Sequence, residues 1–409
     1  MLAQLAFRNI WRNRRRTLLT LSALVISSSL LILSLGVFSG MMEDMLVSAT
    51  EQYYGHILLS APGYQDDRDI YLNLPEDPAF LQKLAGEPHV LGVSPRLRSF
   101  GLLASGVKSY PVELLGVEPD AEKTVTHFNE KLVAGHFLKN DSARDVVIGE
   151  GLAKKLNVTT GAEIVFVGQA ADGSIADDLL HVVGIFSTGD SGHDNGLVLT
   201  GLKWLQDIMV LPGRIHEISL RIDEPLEAAT VAASLPTQMS DGQPLEVLDW
   251  GQLLPEMKEA IASYDVSRVI LAIILYAAAG LGVLNTFFMS VMERTHEFGV
   301  LRAIGLRKRQ LWQLLLLETL LLGLSALVLG LLLGVLMTYL MSRFGLDLSS
   351  HMTAITYAGG TILPRLRAVF ELSNFTVPAF FLLVICLAAG ILPARRASRL
   401  SPMDAIRNE

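Results

Sequence analysis

The sequence predicts a membrane protein: four transmembrane α-helices and a large α+β domain held outside the membrane between the first and second of them. Three observations lead there. The 409 residues are 51% hydrophobic with a mean hydropathy of +0.42, above what a soluble chain of this length shows. The excess is gathered into four runs, each near the roughly 20 apolar residues that cross a bilayer. Between the first two runs lies a stretch far too long for a loop, in which short strand-like and helix-like pieces alternate.

Residues 1–16, MLAQLAFRNIWRNRRR, place Leu2, Leu5, Ala6 and Ile10 on one face and Arg8, Arg12 and Arg15 elsewhere. That pattern predicts an amphipathic helix in the membrane interface. The first span is 17–40. It follows a basic run that resembles a twin-arginine signal, but it is longer than a signal h-region and no small-x-small site closes it, so it is read as retained. Its serines, Ser28 and Ser34 among them, allow close helix packing.

Residues 41–267 form the external domain. GHILLSA (55–61), HVLGVSPRL, SFGLLAS, PVELLGV (111–117), AEIVFVG (162–168), DLLHVVGIF (178–186), HEISLRI (216–222) and PLEVLDW (244–250) read as strands. DPAFLQKLAGE (77–87), PLEAATVAASLP (225–236) and LLPEMKEAIASY (253–264) read as helices, DVVIGEGLAKKLNV (145–158) as strand then helix, and SGHDNG (191–196) as a turn. A helix-then-strand unit occurs twice, at 77–94 and 225–248, suggesting two halves of one subdomain with a β-rich insertion at about 111–215.

The second span is 268–292 and the third 311–342. A 30-residue helix covers about 45 Å against a hydrocarbon layer of roughly 30 Å, so both are expected to protrude as a stalk. A short outer loop, 343–375, leads to the fourth span, 376–393, and a tail, 394–409. Between the second and third spans, 293–310 is crowded with charge, yet Val291 just before it and Phe298, Leu301 and Ile304 within it recur at helical spacing, so it reads as a structured helix rather than a connector.

Basic residues orient the chain. Segments 1–16, 293–310 and 395–409 carry five, five and four of the 33 Lys+Arg. Basic flanks remain cytoplasmic, which puts both termini and the 293–310 connector inside. The net charge of −8 thus combines a basic inner rim with an acidic outer domain, and nucleic acid is no partner. The one cysteine, Cys386, lies in the fourth span, so the outer domain has no disulfide and no cysteine-based site. No P-loop, H-E-x-x-H or G-x-S-x-G motif occurs. His127, His136, His181, His193 and Asp194 have no ligand-like spacing, and neither metal nor catalytic residue is assigned. Glu318, two turns into the third span, is read as a structural ion pair or interface anchor.

The segment ERTHEFGVLRAIG, Glu293 to Gly305, closely resembles the E-R-T-x-E-[IF]-G-x-x-R-A-x-G segment of FtsX-like ABC permeases, the superfamily that includes the MacB-type and the lipoprotein-releasing LolC/LolE-type permeases. LPARRASRLSPMDAIRNE (392–409) is similar to the family's C-terminal pattern, and AGHFLKNDSARDVVIGEGLAKKLNVTTGAEI with HVVGIF to that of the MacB-like periplasmic domain. The chain departs from MacB in having no fused ATPase domain; GHILLSAPGYQDDRD (55–69) looks closest to the LolC/LolE-like group.

The resemblance implies a non-catalytic permease subunit of a type VII-like ABC system in a bacterial inner membrane. The connector would be the coupling helix, with Glu293, Arg294, Thr295, Glu297, Gly299, Arg302, Ala303 and Gly305 facing a cytoplasmic ABC ATPase. That partner, in two copies, would hold the ATP and Mg; this chain would bind no cofactor. A second permease chain, identical or paralogous, would complete the assembly. The implied work is extraction of lipoproteins from the membrane towards a periplasmic chaperone or adaptor. A lateral gate between the first two spans would set Ser34, Val37, Phe38 and Met41 against Val269, Ile273 and Tyr276. Two alternatives stay open: an FtsX-like mechanotransmitter that regulates a cell-wall hydrolase, and export of a small lipid, peptide or toxin.

Overall fold

A computed structural model describes residues 2–141, 143–348, 355–357, 360–362 and 365–399. The chain divides into two compact units. One contains the described residues of 1–42, 261–348 and 365–399; the other contains 43–260 with the short strands Ile355–Tyr357 and Gly360–Ile362.

In the first unit, four helices are long and apolar enough to cross a membrane: Arg14–Ala49, Pro255–Glu293, Lys308–Phe344 and Ser373–Arg399, the first and second of which run on into the other unit. Each exceeds its expected span at one or both ends, because the helix signal continues through polar residues that an apolar run does not include. Small residues set their packing. An added Cβ would lie 3.0 Å from Ser28 Cβ at Gly330, 2.8 Å from Ile32 Cδ1 at Gly334, and 3.4 Å from Thr338 Cγ2 at Gly36. The first and third spans therefore run parallel, in contact every fourth residue. The third and fourth run antiparallel, Gly323 against Cys386 and Gly390 against Thr319. Contacts this close are how helices associate in lipid, where apolar burial gives no net drive. Leu24, Leu31, Leu35, Tyr276, Phe287, Leu322 and the buried Cys386 fill the centre.

The second unit is built on one ten-stranded sheet. Its strands are β1 (Ile57–Ser60), β2 (Val90–Ser105), β3 (Lys108–Val117), β4 (Leu132–Gly135), β5 (Asp145–Gly149), β6 (Glu163–Gln169), β7 (Ile175–Phe186), β8 (Leu197–Gly201), β9 (Glu217–Ile222) and β10 (Glu246–Asp249). The order is β10-β1-β9-β2-β3-β8-β5-β7-β4, with β6 joining β2 to β7. The expected subdomain boundary near 111 falls inside β3. The two predicted strands before it are one, β2, whose pairing with β9, β3 and β6 carries hydrogen bonding unbroken across the proposed division. SGHDNG is a short helix, Ser191–Gly196, rather than a turn, because Asp190 accepts a bond from Gly192 N–H (2.9 Å) at its start. Likewise Asp77 caps Pro78–Ala85, and Asn157, at φ +61°, ends Glu150–Leu156.

Buried charge ties the helical chain leaving the first span to this sheet. After Ala49 the helix widens into a π-type turn, Thr50–Tyr54. Arg96 Nη1 donates to Tyr53 O (2.6 Å) and its Nη2 to Glu122 (2.7 Å); Arg98 Nη2 donates to Glu217 (2.6 Å), with Tyr53 Oη and Glu113 beside Nη1. Glu51 meets His127 (2.7 Å) and His56 (3.6 Å). Arg96, Glu122 and Glu217 are fully buried. Burial would raise the Glu217 carboxyl, but the charge and hydrogen bond of Arg98, then Arg96, outweigh it and hold it at about 2.

Candidate functional site

The connector between the second and third spans resolves into a short helix, Thr295–Ala303, with a break at each end. Arg294 leaves helical geometry (φ −107°, ψ 14°). At the other end Gly305 takes φ +110°, a conformation L side chains resist. The expected single helix over 293–310 is thus shorter, and its last residues, from Lys308, begin the third span.

Phe298 anchors the connector. It is buried with Ala6 of the N-terminal helix Leu2–Ile10, Val291, Leu311, Leu314, Leu315 and the small Ala394 and Ala397 of the fourth spanning helix. Those alanines belong to the expected tail, of which 394–399 continues the fourth helix and 400–409 lies outside the described residues. Above Phe298 sits a chain of charge. Arg12 grips Glu297 with two bonds (2.9 and 2.5 Å), and Glu297 also meets Arg294 (3.2 Å). Arg294 lies over the Phe298 ring, 5.1 Å from its centroid, and reaches Glu318 at 3.3 Å. Asn9 donates to Glu318 at 2.6 Å. The hydrogen bond from Arg12, with its charge, holds the Glu297 carboxyl below its ordinary range. Glu318 is 4% exposed, an ion pair between the third span and the connector.

The predicted coupling residues separate into two sets. Arg294 and Gly299 are buried; Thr295 turns its hydroxyl back to Met292 O (2.6 Å); Glu297 is committed to arginines; Arg302 is half-buried. Glu293, Ala303 and Gly305 are exposed. The outward face contains three residues outside the predicted coupling set: His296, Val300 and Ile304, all exposed, Ile304 at 80%. Their spacing of four places them on one stripe, and that spacing was the available signal. Glu293, also exposed, lies across the break at Arg294, at the end of the preceding helix. The surface on offer is an apolar knob, Val300 and Ile304, with His296 on the same stripe.

At the candidate gate the structure pairs other residues. Tyr276 is buried, its hydroxyl 3.4 Å from Ser28 Oγ. Phe38 packs against Tyr264, ring centroids 5.6 Å apart with the rings tilted by 43°. Ser34, Val37 and Met41 are half-buried, while Val269 and Ile273 are exposed. The first two spans hence run antiparallel with Tyr276 set deeper than the Ser34–Met41 stretch. Near Phe38 lies a polar clasp: Ser39 Oγ donates to Glu371 (2.9 Å) and accepts from Asn374 (2.9 Å), and Arg268 of the second span meets Ser373 (3.2 Å) and Glu371 (3.7 Å).

Two family models match successive parts of the chain. The MacB-like periplasmic core domain model matches residues 17–238, and the FtsX-like permease C-terminal model matches 269–402. The lipoprotein-releasing system transmembrane protein LolC of Neisseria meningitidis serogroup B is 22% identical over 407 residues, covering 96% of this chain and 94% of that one. The macrolide export ATP-binding/permease protein MacB of a Shewanella species is 25% identical over 420 residues; 97% of this chain matches 59% of that protein. Among solved structures, the periplasmic region of MacB from Actinobacillus actinomycetemcomitans superposes with a TM-score of 0.37 at 16% identity, over 54% of this chain and 95% of that one.

Proposed function

The chain belongs to the MacB/LolC family of ABC transporter permeases, and from that premise we propose that it works with a separate cytoplasmic ATPase to extract lipoproteins from the bacterial inner membrane. One observation supports this reading: the match to a LolC protein covers 96% of this chain and 94% of that one. Both termini and the connector lie in the cytoplasm on this reading, where the basic segments belong. The chain itself is non-catalytic and binds no cofactor; ATP and Mg sit on the partner, two copies of which serve two permease chains.

The connector suits a lever. Its outward stripe of Val300 and Ile304 can seat in an apolar groove of the ATPase, edged by Glu293, His296, Ala303 and Gly305. Its inward side is fixed by Phe298 and by the ion pairs to Arg12 and Glu318, so a push is passed to the N-terminal helix and third span rather than absorbed. The gate would open near Phe38 and Tyr264, above Tyr276, beside the Ser39–Glu371–Arg268 clasp. Periplasmic lipoproteins and a chaperone or adaptor complete the partners.

Purification of the tagged full-length chain from native membranes, with mass spectrometry of proteins and acyl groups, tests this. An ATPase and triacylated lipoproteins should co-purify, and Ile304→Asp should remove the ATPase alone. An ATPase with a cell-wall hydrolase and no acylated passenger would instead support a mechanotransmitter. Absence of any ATPase would end the coupling proposal.

A further inference from the structure

A crevice between the start of the first span and the third span is not used by the coupling role. Its volume is about 490 Å³, within the roughly 300–1,000 Å³ of small-ligand sites. Phe7, Trp11 and Leu21 form one wall; Leu324, Ser325 and Val328 form the other. Phe7, Trp11, Leu324 and Val328 are all exposed, so the crevice opens on the surface that faces lipid.

Its polar atoms are already spoken for. The Thr17 hydroxyl donates to Ile10 O (2.6 Å) and that of Ser325 to Leu321 O (2.8 Å), both within the chain's own backbone. The walls therefore offer an occupant little but apolar surface. The chain that supplies the Phe7 and Trp11 wall is basic: Arg8, Arg14 and Arg15, interleaved in sequence with the lining residues Phe7, Trp11 and Thr17, are exposed, and no acidic residue precedes Glu43. The carboxylates bonded to this part of the chain, Glu297 and Glu318, are taken by Arg12, Arg294 and Asn9.

An apolar slot whose lining residues alternate in sequence with exposed arginines suits a molecule with an acyl chain and an anionic head. We propose that this crevice is a binding site for an anionic glycerophospholipid of the leaflet that holds the N-terminal helix: one acyl chain lies along Trp11, Leu21 and Val328, and the phosphate sits among Arg8, Arg14 and Arg15. The site places a lipid headgroup beside the helix that carries Arg12, hence beside the Arg12–Glu297 grip on the connector.

Trp11 supplies the probe. The full-length chain with Trp312→Phe is placed in phosphatidylcholine nanodiscs containing an equal fraction of either brominated phosphatidylglycerol or brominated phosphatidylcholine. Trp11 emission is taken as the difference from the same protein carrying Trp11→Phe. Severalfold stronger quenching by the anionic lipid is expected. Arg14→Gln with Arg15→Gln should reduce it to the phosphatidylcholine level, and Ser325→Phe, which fills the slot without touching charge, should do the same. Equal quenching by the two lipids would overturn the proposal in favour of ordinary annular lipid. Quenching by neither would overturn it too, because protein, such as a second copy of the chain, would then cover the crevice.

Discussion

Arg294 and Glu318 each depend on the other. Both are nearly inaccessible to water, and each ion's desolvation is offset by its partner and by Asn9 and Glu297. Glu318→Gln should leave the guanidinium charge unbalanced and cost about 3–5 kcal/mol, as for other broken buried pairs. It should appear as a clear fall in the thermal unfolding midpoint of the detergent-purified chain. Arg294→Met combined with Glu318→Leu removes both charges and should recover most of that loss. Glu217 gives a pH prediction. Its folded value of about 2 lies below the ordinary 4.5, so the folded state holds its proton less tightly than the unfolded chain. Its contribution is complete above pH 4.5 and declines as pH falls towards 2. Acid titration of unfolding, followed by Trp204 and Trp250 fluorescence, should show that decline, and Glu217→Gln should flatten it while lowering stability at neutral pH.

At the level of elements, glycines separate packing positions from spacers. A Cβ at Gly40 would come within 2.1 Å of Arg367 O, a backbone atom in the strand-like segment that also bonds Val369 N–H to Gly36 O (2.9 Å). At Gly282 nothing lies within 4 Å. Gly40→Ala should therefore destabilise by about 1–3 kcal/mol, while Gly282→Ala should leave the unfolding midpoint nearly unchanged. Elements of this kind were partly legible from sequence. Apolar runs marked the spans and two-residue alternation marked most strands, because both signals are local. The connector's break at Arg294 was not legible, and the buried partner of that residue is a carboxylate 24 residues away. Nor was the inward turn of Arg96 and Arg98. Alternation in SPRLRS points arginines away from the core, yet both flank Leu97 with all three buried. Their partners Glu122 and Glu217 come from distant chain, where no local pattern reaches.

On the scale of the molecule, the first spanning helix is unbroken from Arg14 to Ala49, and the chain beyond it is held to the sheet through Tyr53 and Glu51. At 1.5 Å per residue those 36 residues extend roughly 54 Å, longer than the hydrocarbon layer. The second span enters differently, through a non-helical Leu254 just before its helix starts at Pro255. If the chain extracts lipoproteins as proposed, a Gly-Gly insertion between Met42 and Glu43 should uncouple it: the co-purified ATPase keeps its hydrolysis rate while release is lost, measured together in proteoliposomes. Retained release would assign the stroke to the second span. The division into a bundle and an outer domain could be read from composition alone. The relation between the sheet's halves could not, because strand pairing across 100 residues leaves no mark in either strand.

The single cysteine has a practical side. Cys386 is buried among the spans, its Sγ close to Gly323, so an aqueous maleimide should not reach it. The natural sequence then serves as its own unlabelled background. One introduced thiol at Ile304, or two at Phe38 and Ile273, would take fluorophores or spin labels cleanly, and distances between them could be followed through the nucleotide cycle without first rebuilding the protein.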